Sequence, residues 1–197
     1  MRDSRSISNS PLIRVQLTIH YSPLTPMSFI NIEIKARSNN SKDIRQWLLD
    51  NKADFKGIDE QTDTYFNVPN GRLKLREGNI ENNLIYYERK NQAGPKQSDF
   101  NLLPVENPVA LKDLLSTAMG IKVIVKKKRE IYYIDNVKFH IDVIQGLGDF
   151  VEIEASNKPK DIPIEQLREQ CDFFMLAFGI EEKDLVENSY SDLLLNS

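Results

Sequence analysis

An α+β fold, in which a curled sheet of antiparallel strands carries helices on its outer side, is predicted by three observations. Eight short segments alternate apolar and polar residues between turn signals. Strand after strand, the polar face is a charged face. Three further segments have the apolar stripe of an amphipathic helix, and each stripe needs a surface to cover. The 197 residues, 40% hydrophobic and 28% charged, suffice for one globular domain with a real core, or for a domain plus a tail.

The strands are expected at residues 29–37, 61–67, 72–77, 84–90, 98–103, 121–134, 137–144 and 150–156. The first holds NIEIKAR, with Asn31, Glu33, Lys35 and Arg37 in one phase and Ile32, Ile34 and Ala36 in the other. In the third, Arg72, Lys74 and Arg76 alternate with Leu73 and Leu75, and in the fourth Arg89 is in phase with Tyr87 and Ile85. The run VIVKKKRE offers Lys127 and Arg129 in one phase or Lys126 and Lys128 in the other, and pattern alone does not choose. His140 aligns with Asp142, and Glu152 with Glu154. Asn70-Gly71 and Asp135-Asn136 sit at hairpin corners, and Gly-Leu-Gly at 146–148 turns the last pair.

The helices carry clearer signals. Residues 41–53 present Ile44, Trp47 and Leu48. After Asn107, Pro108 opens a helix with Leu111, Leu114, Leu115 and Ala118 on one face, and Gly120 stops it. Pro163 opens the third, with Ile164, Leu167, Cys171, Phe174, Met175 and Phe178 in helical phase and Gly179 at its end. All three stripes read as packing surface, and Cys171 within the last reads as core rather than nucleophile.

Composition excludes several classes of function. A formal net charge of -3 argues against a general nucleic-acid binder, so any anion site must be local. The longest strongly apolar patch, residues 171–180, is far short of a membrane-spanning helix and contains an acid. One cysteine forbids an internal disulfide and suits a reducing, cytoplasmic setting. Residues 1–26, rich in serine with three prolines and no sustained period, are expected to form a disordered extension, with the compact domain spanning 27–197. Neither a GxxxxGK[ST] loop nor GxGxxG is present, and the two histidines, His20 and His140, leave little for a nucleophilic triad; His140 reads as structural.

Were the apolar strand faces the inside of a barrel, the charges would simply be solvated. The amphipathic helices need that apolar face, however, which turns the charged faces inward around a wet interior. With Lys127 and Arg129 chosen, Lys35, Arg37, Arg72, Lys74, Arg76, Arg89, Lys127 and Arg129 oppose Glu33, Asp142, Glu152 and Glu154. Two like charges ~4 Å apart at an effective dielectric near 20 repel by roughly 4 kcal/mol, so a ligand must offset the excess of cations. That excess suits a polyanion, and the acids suit a divalent metal bridging to phosphate oxygens.

Taken together, NIEIK, GRLKLRE, LIYYER, KKR, HID, GLGDFVEIE and the terminal SYSDLL resemble the CYTH family over about residues 30–194. These triphosphate tunnel metalloenzymes include class IV adenylyl cyclases and thiamine triphosphatases. Glu33 and Lys35 match the second acid and the lysine of the family's Glu-x-Glu-x-Lys strand, and Asn31 stands where the first acid is expected. The resemblance implies an eight-stranded antiparallel β-barrel forming a tunnel, with Mg2+ or Mn2+ held by Glu33, Asp142, Glu152 and Glu154. Triphosphate would be held by the eight cations named above, with Glu33 and Lys35 serving the chemistry. The expected ligand is tripolyphosphate, ATP or thiamine triphosphate, and a homodimer is one option for the assembly. Three activities stay open: hydrolysis of a triphosphate, cyclisation of ATP with loss of pyrophosphate, and binding without turnover.

Overall fold

Strands whose outer residues are apolar and whose inner residues are charged close into a barrel with its main core on the outside. The computed structural model describes residues 27–88, 92, 94–158 and 162–197, with backbone alone at 27–29, 99 and 100. The expectations for residues 1–26 and for Arg89 lie outside the described residues. In chain order the elements are β1 (Met27–Arg37), α1 (Ser41–Asp50), β2 (Asp54–Phe66), β3 (Arg72–Glu77), β4 (Asn83–Glu88) and β5 (Lys96–Pro104). There follow α2 (Pro108–Met119), β6 (Ile121–Ile134), β7 (Val137–Ile144), β8 (Gly148–Ser156), α3 (Ile164–Ala177), a 3-10 turn (Glu182–Asp184) and α4 (Tyr190–Leu195). The eight strands form a closed barrel in the order β1-β5-β4-β3-β2-β6-β7-β8, every pair antiparallel. Closure gives every strand a partner on each side, although the first half of β2 pairs with β6 alone.

The main core lies between the outer face of β1, β7 and β8 and the helices α1 and α3. Ile32, Ile34, Ala36, Phe139, Ile141, Val151 and Ile153 pack against Ile44, Leu48, Leu167, Cys171, Phe174 and Phe178. Edge-on ring contacts join Phe139 to Phe174 at 4.7 Å and Trp47 to Phe178 at 5.4 Å. Cys171 belongs to this core. Its thiol donates to the Ile32 carbonyl at 3.3 Å, and burial pushes its pKa up to about 12.

A second apolar cluster fills one end of the barrel. Tyr65, Ile85, Tyr87, Val125, Ile144 and Phe150 meet Tyr190 of α4 there, with Leu193 and Leu194 alongside. Ser189 caps α4 by accepting from Asp192 N at 3.1 Å, and Asp192 accepts in return from Ser189 N at 3.3 Å. The charged inner face therefore ends in an apolar layer beneath α4. No helix among the described residues is long and apolar enough to cross a membrane.

Three expectations from sequence need correction. Strand β2 begins at Asp54 rather than near residue 61, because its first half pairs with β6 alone and is largely exposed, which erases the alternation. The short helix α4 carried no helical stripe to read. The stripe on α2 is not a buried surface: none of its residues is buried, and Leu114 is 65% exposed. Instead, Lys112 ties α2 to β3 through Glu77 at 2.8 and 2.9 Å. The hairpin corners are as expected. Gly71 has φ +63°, and a Cβ there would lie 2.8 Å from the Tyr86 hydroxyl.

Phe139→Ala should therefore cost about 3 to 5 kcal/mol in urea denaturation, since it empties the space between barrel and α3. Leu114→Ser should change stability by no more than about 0.5 kcal/mol. Equal losses in the two variants would contradict this division between core and surface.

Candidate active site

The barrel interior encloses a cavity of about 530 Å3, and its charges fall into two linked clusters. The first is built on Asp63, which β2 turns inward between β3 and β6. Its carboxylate accepts from Lys74 Nζ at 3.0 Å, Arg76 Nε at 3.0 Å and Lys127 Nζ at 2.5 Å. Burial alone would raise the Asp63 pKa, but Arg76, Lys127 and Lys74 together hold it well below the usual carboxylate range. Burial pushes the Lys127 ammonium down to about 7, with Asp63 opposing the shift and Arg76, Arg129 and Lys74 adding to it.

The second cluster is built on Glu152 of β8. One carboxylate oxygen accepts from Lys35 Nζ of β1 at 2.8 Å, and the other from Arg129 Nη2 of β6 at 2.6 Å. His140 of β7 places Nδ1 3.1 Å from the same Glu152 oxygen and 3.6 Å from Glu154 Oε1. Donor atoms of His140, Glu152 and Glu154 all lie within 4.8 Å of one another, a grouping able to hold a metal ion. Register places Glu33 opposite Glu154 and Lys35 opposite Glu152, so the β1 motif flanks this group. Glu152 stays well below the usual range because Lys35 and Arg129 outweigh its burial. Burial first, and then Arg129, lower His140.

Behind these groups stands Asp142, which is completely buried. It accepts from Arg129 Nε at 2.7 Å, Arg129 Nη2 at 2.5 Å and the Tyr190 hydroxyl at 2.9 Å. The effect is to hold the Arg129 guanidinium in one plane. At the opposite side the β3–β4 loop folds in. Asp59, also completely buried, accepts from Ile80 N at 2.9 Å and Glu81 N at 3.1 Å. A Cβ on Gly78 would lie 2.6 Å from Asp59 Oδ1, so glycine lets the loop close over that carboxylate. The loop thus seats Glu81 between Arg76 Nη1 at 2.8 Å and Lys138 Nζ at 2.6 Å.

Of the residues singled out in the sequence, Glu33, Lys35, Lys74, Arg76, Lys127, Arg129, Glu152 and Glu154 line the cavity. The inward phase of β6 is the one with Lys127 and Arg129; Lys126 and Lys128 are exposed. Three others lie off the lining. Arg37 is exposed, donates to the Leu147 carbonyl at 3.1 Å and lies over Phe150, at the level of the apolar layer. Arg72 pairs with Asp192 at 2.8 Å and lines a separate outer groove with Tyr86 and Lys122. Asp142 sits behind Arg129, with both oxygens engaged.

The interior is also closer to neutral than the expected excess of cations, because Asp63, Glu81 and Asp135 line it too. Asp63 was legible, being in phase with Tyr65 on an expected strand. Glu81 had no signal, because it acts from a loop. His140 was visible but read as structural.

Asp63→Asn should destabilise the protein by about 3 to 5 kcal/mol, since the buried Arg76 and Lys127 and the half-buried Lys74 lose their shared counter-charge. Urea denaturation at pH 7 checks this, and a loss below about 1 kcal/mol would contradict it. A second test uses pH. With its folded pKa near 7 and an unfolded value of 10.5, Lys127 binds a proton in the unfolded chain but not in the folded one between those limits. It therefore makes stability rise with pH over that window. Lys127→Met should flatten the rise between about pH 7 and 9.5, and an unchanged slope would contradict the depressed value.

The comparisons with known proteins agree with this architecture. A Methanocaldococcus jannaschii protein named "Putative adenylate cyclase" is 27% identical over 185 residues, covering 83% of this chain and 98% of its own. A Pyrococcus horikoshii structure matches with TM-score 0.68 at 27% identity, covering 83% of this chain and 98% of that one. A Vibrio parahaemolyticus structure, also called a "putative adenylate cyclase", has the same fold at TM-score 0.68 and 17% identity, covering 84% of this chain and 98% of that one. The CYTH domain model matches residues 30–190, which take in the strands from Ile30 onward and the inward charges, and the chain belongs to the CYTH domain family.

Proposed function

We propose that this protein is a divalent-metal-dependent enzyme that hydrolyses inorganic or organic triphosphates inside its barrel. The observation that carries the reading is the pairing of two clusters in one cavity: cations gathered on Asp63, and carboxylates gathered around Glu152. A polyphosphate chain matches that arrangement, since its oxygens can replace Asp63 as partners of Lys74, Arg76 and Lys127. Lys35 and Arg129, already bridging to Glu152, stand where the two clusters meet and would orient the phosphoryl group under attack. Asp142 and Tyr190 keep Arg129 aimed, which makes Asp142 a positioning residue rather than a metal holder.

The donor set fits a divalent cation. Glu152 and Glu154, flanked by Glu33, supply hard oxygens, and the buried Asn31 Oδ1 in the same lining has no hydrogen-bond partner. When bound, such an ion supplies charge neutralisation at phosphoryl oxygens. The other charged side chains of the site supply electrostatic grip and orientation.

A second reading is cyclisation of ATP to cyclic AMP and pyrophosphate. It is favoured by the name of the Methanocaldococcus relative and by the apolar and aromatic stretch of lining formed by Ile85, Tyr87 and Leu102, which would accommodate a base. Incubation with tripolyphosphate, ATP and thiamine triphosphate, each with Mg2+ or Mn2+, separates the readings. Release of orthophosphate is the expected result; cyclic AMP with pyrophosphate would establish the second reading, and no product would leave a binding module.

The two clusters should fail differently. Glu154→Gln should raise the metal concentration at half-maximal activity and lower turnover, while triphosphate still binds. Arg76→Ala should weaken triphosphate binding by about 2 to 5 kcal/mol and leave the metal midpoint near the parent value. Metal titrations at saturating triphosphate, paired with binding isotherms, make the comparison. A parent-like metal titration for Glu154→Gln would contradict the division of labour.

A further inference from the structure

We propose that His140 is a direct nitrogen ligand of the divalent cation, sharing it with Glu152 and Glu154, and that the site consequently prefers a first-row transition ion such as Mn2+ over Mg2+. The inference rests on the metal-dependent reading above and adds the identity of a ligand and the class of metal it selects.

The first support is spacing. Two donor atoms that each lie ~2.1 Å from one metal ion are separated by roughly 3.0 Å at right angles and roughly 3.4 Å at the tetrahedral angle. His140 Nδ1 lies 3.1 Å from Glu152 Oε2, a hydrogen bond here, and 3.6 Å from Glu154 Oε1, so a small movement brings all three donors to the separations of neighbouring ligands around a shared ion. The second is unmet bonding capacity. Asn31, 5% exposed and in the same cavity lining as Glu152 and Glu154, leaves Oδ1 without a hydrogen-bond partner. A buried polar atom is rarely left so, and one in the lining shared with these carboxylates points to a missing ion.

Charge and competition allow the arrangement. Asn31 and His140 are neutral donors, so Glu152 and Glu154 with Glu33 beside them provide the anionic part. Arg129 can release Glu152 without losing its counter-charge, because Asp142 holds it through two further hydrogen bonds at 2.7 and 2.5 Å. Imidazole nitrogen is a better ligand for first-row transition ions than for Mg2+, which takes oxygen almost alone. Replacing an all-oxygen set by one containing His140 therefore shifts the preference.

Pulsed electron paramagnetic resonance on the Mn2+-loaded protein tests this without reference to turnover. Modulation from a directly bound 14N nucleus is expected, converting to the 15N pattern when histidine is 15N-labelled. His20 and His140 are the two histidines of the chain, so the signal should persist in His20→Gln and vanish in His140→Gln. The latter should also weaken Mn2+ binding by about 10- to 100-fold, with Mg2+ binding changed far less. If His140→Gln does not fold, the labelled parent and His20→Gln still decide the matter. Bound Mn2+ with no directly coordinated histidine nitrogen would overturn the inference and leave the triphosphatase reading standing. Absence of Mn2+ binding at millimolar ion, with or without tripolyphosphate, would overturn both.

Discussion

Asp63 sits beneath Lys74, Arg76 and Lys127, and the barrel interior depends on that neutralisation. Three ammonium and guanidinium groups within hydrogen-bond reach of one carboxylate would otherwise repel by several kcal/mol in a medium of reduced dielectric. The same arrangement recurs at Glu152, which Lys35 and Arg129 share, and at Glu81, which Arg76 and Lys138 share. The cations are thereby stored in a geometry set by protein carboxylates, so an incoming polyanion meets donors already aimed and exchanges one set of anionic partners for another. Little reorganisation is needed, which is the condition under which electrostatic stabilisation is most effective.

That interior is possible because the folding energy comes from elsewhere. The apolar faces of β1, β7 and β8 turn outward and are covered by α1 and α3, so the main core lies between barrel and helices. A second, smaller core closes one end under α4, where Tyr190 joins structure to function: its ring lies 4.0 Å from Lys35 Nζ and its hydroxyl donates to Asp142. Burial of hydrocarbon at these two places leaves the middle layer of the barrel free to be polar.

Much of this was legible in the sequence because strand alternation assigns faces without reference to partners. The three helical stripes decide which face is out, and that decision places Glu33, Lys35, Lys74, Arg76, Lys127, Arg129, Glu152 and Glu154 inside together. What alternation does not carry is depth along the barrel axis. Arg37 and Arg72 are in phase with the lining residues yet lie level with the apolar end, and Asp142 is in phase with His140 yet sits behind Arg129. Nor does it reveal residues delivered by loops, so Glu81 of the β3–β4 connection was invisible, and Asp59, in the half of β2 that showed no alternation, was missed with it. Helix α2 misled because its stripe is real but only partly covered.

The central claim is that these cations form a site for the triphosphate chain itself, independent of any nucleoside. Thermal denaturation with inorganic tripolyphosphate tests it most directly. At a ligand concentration ~100 times its dissociation constant the folded state should gain ~2.7 kcal/mol, seen as a rise of several degrees in the midpoint that saturates with ligand and shrinks with added salt. An unchanged midpoint at millimolar tripolyphosphate, in protein that is otherwise folded, would contradict the account.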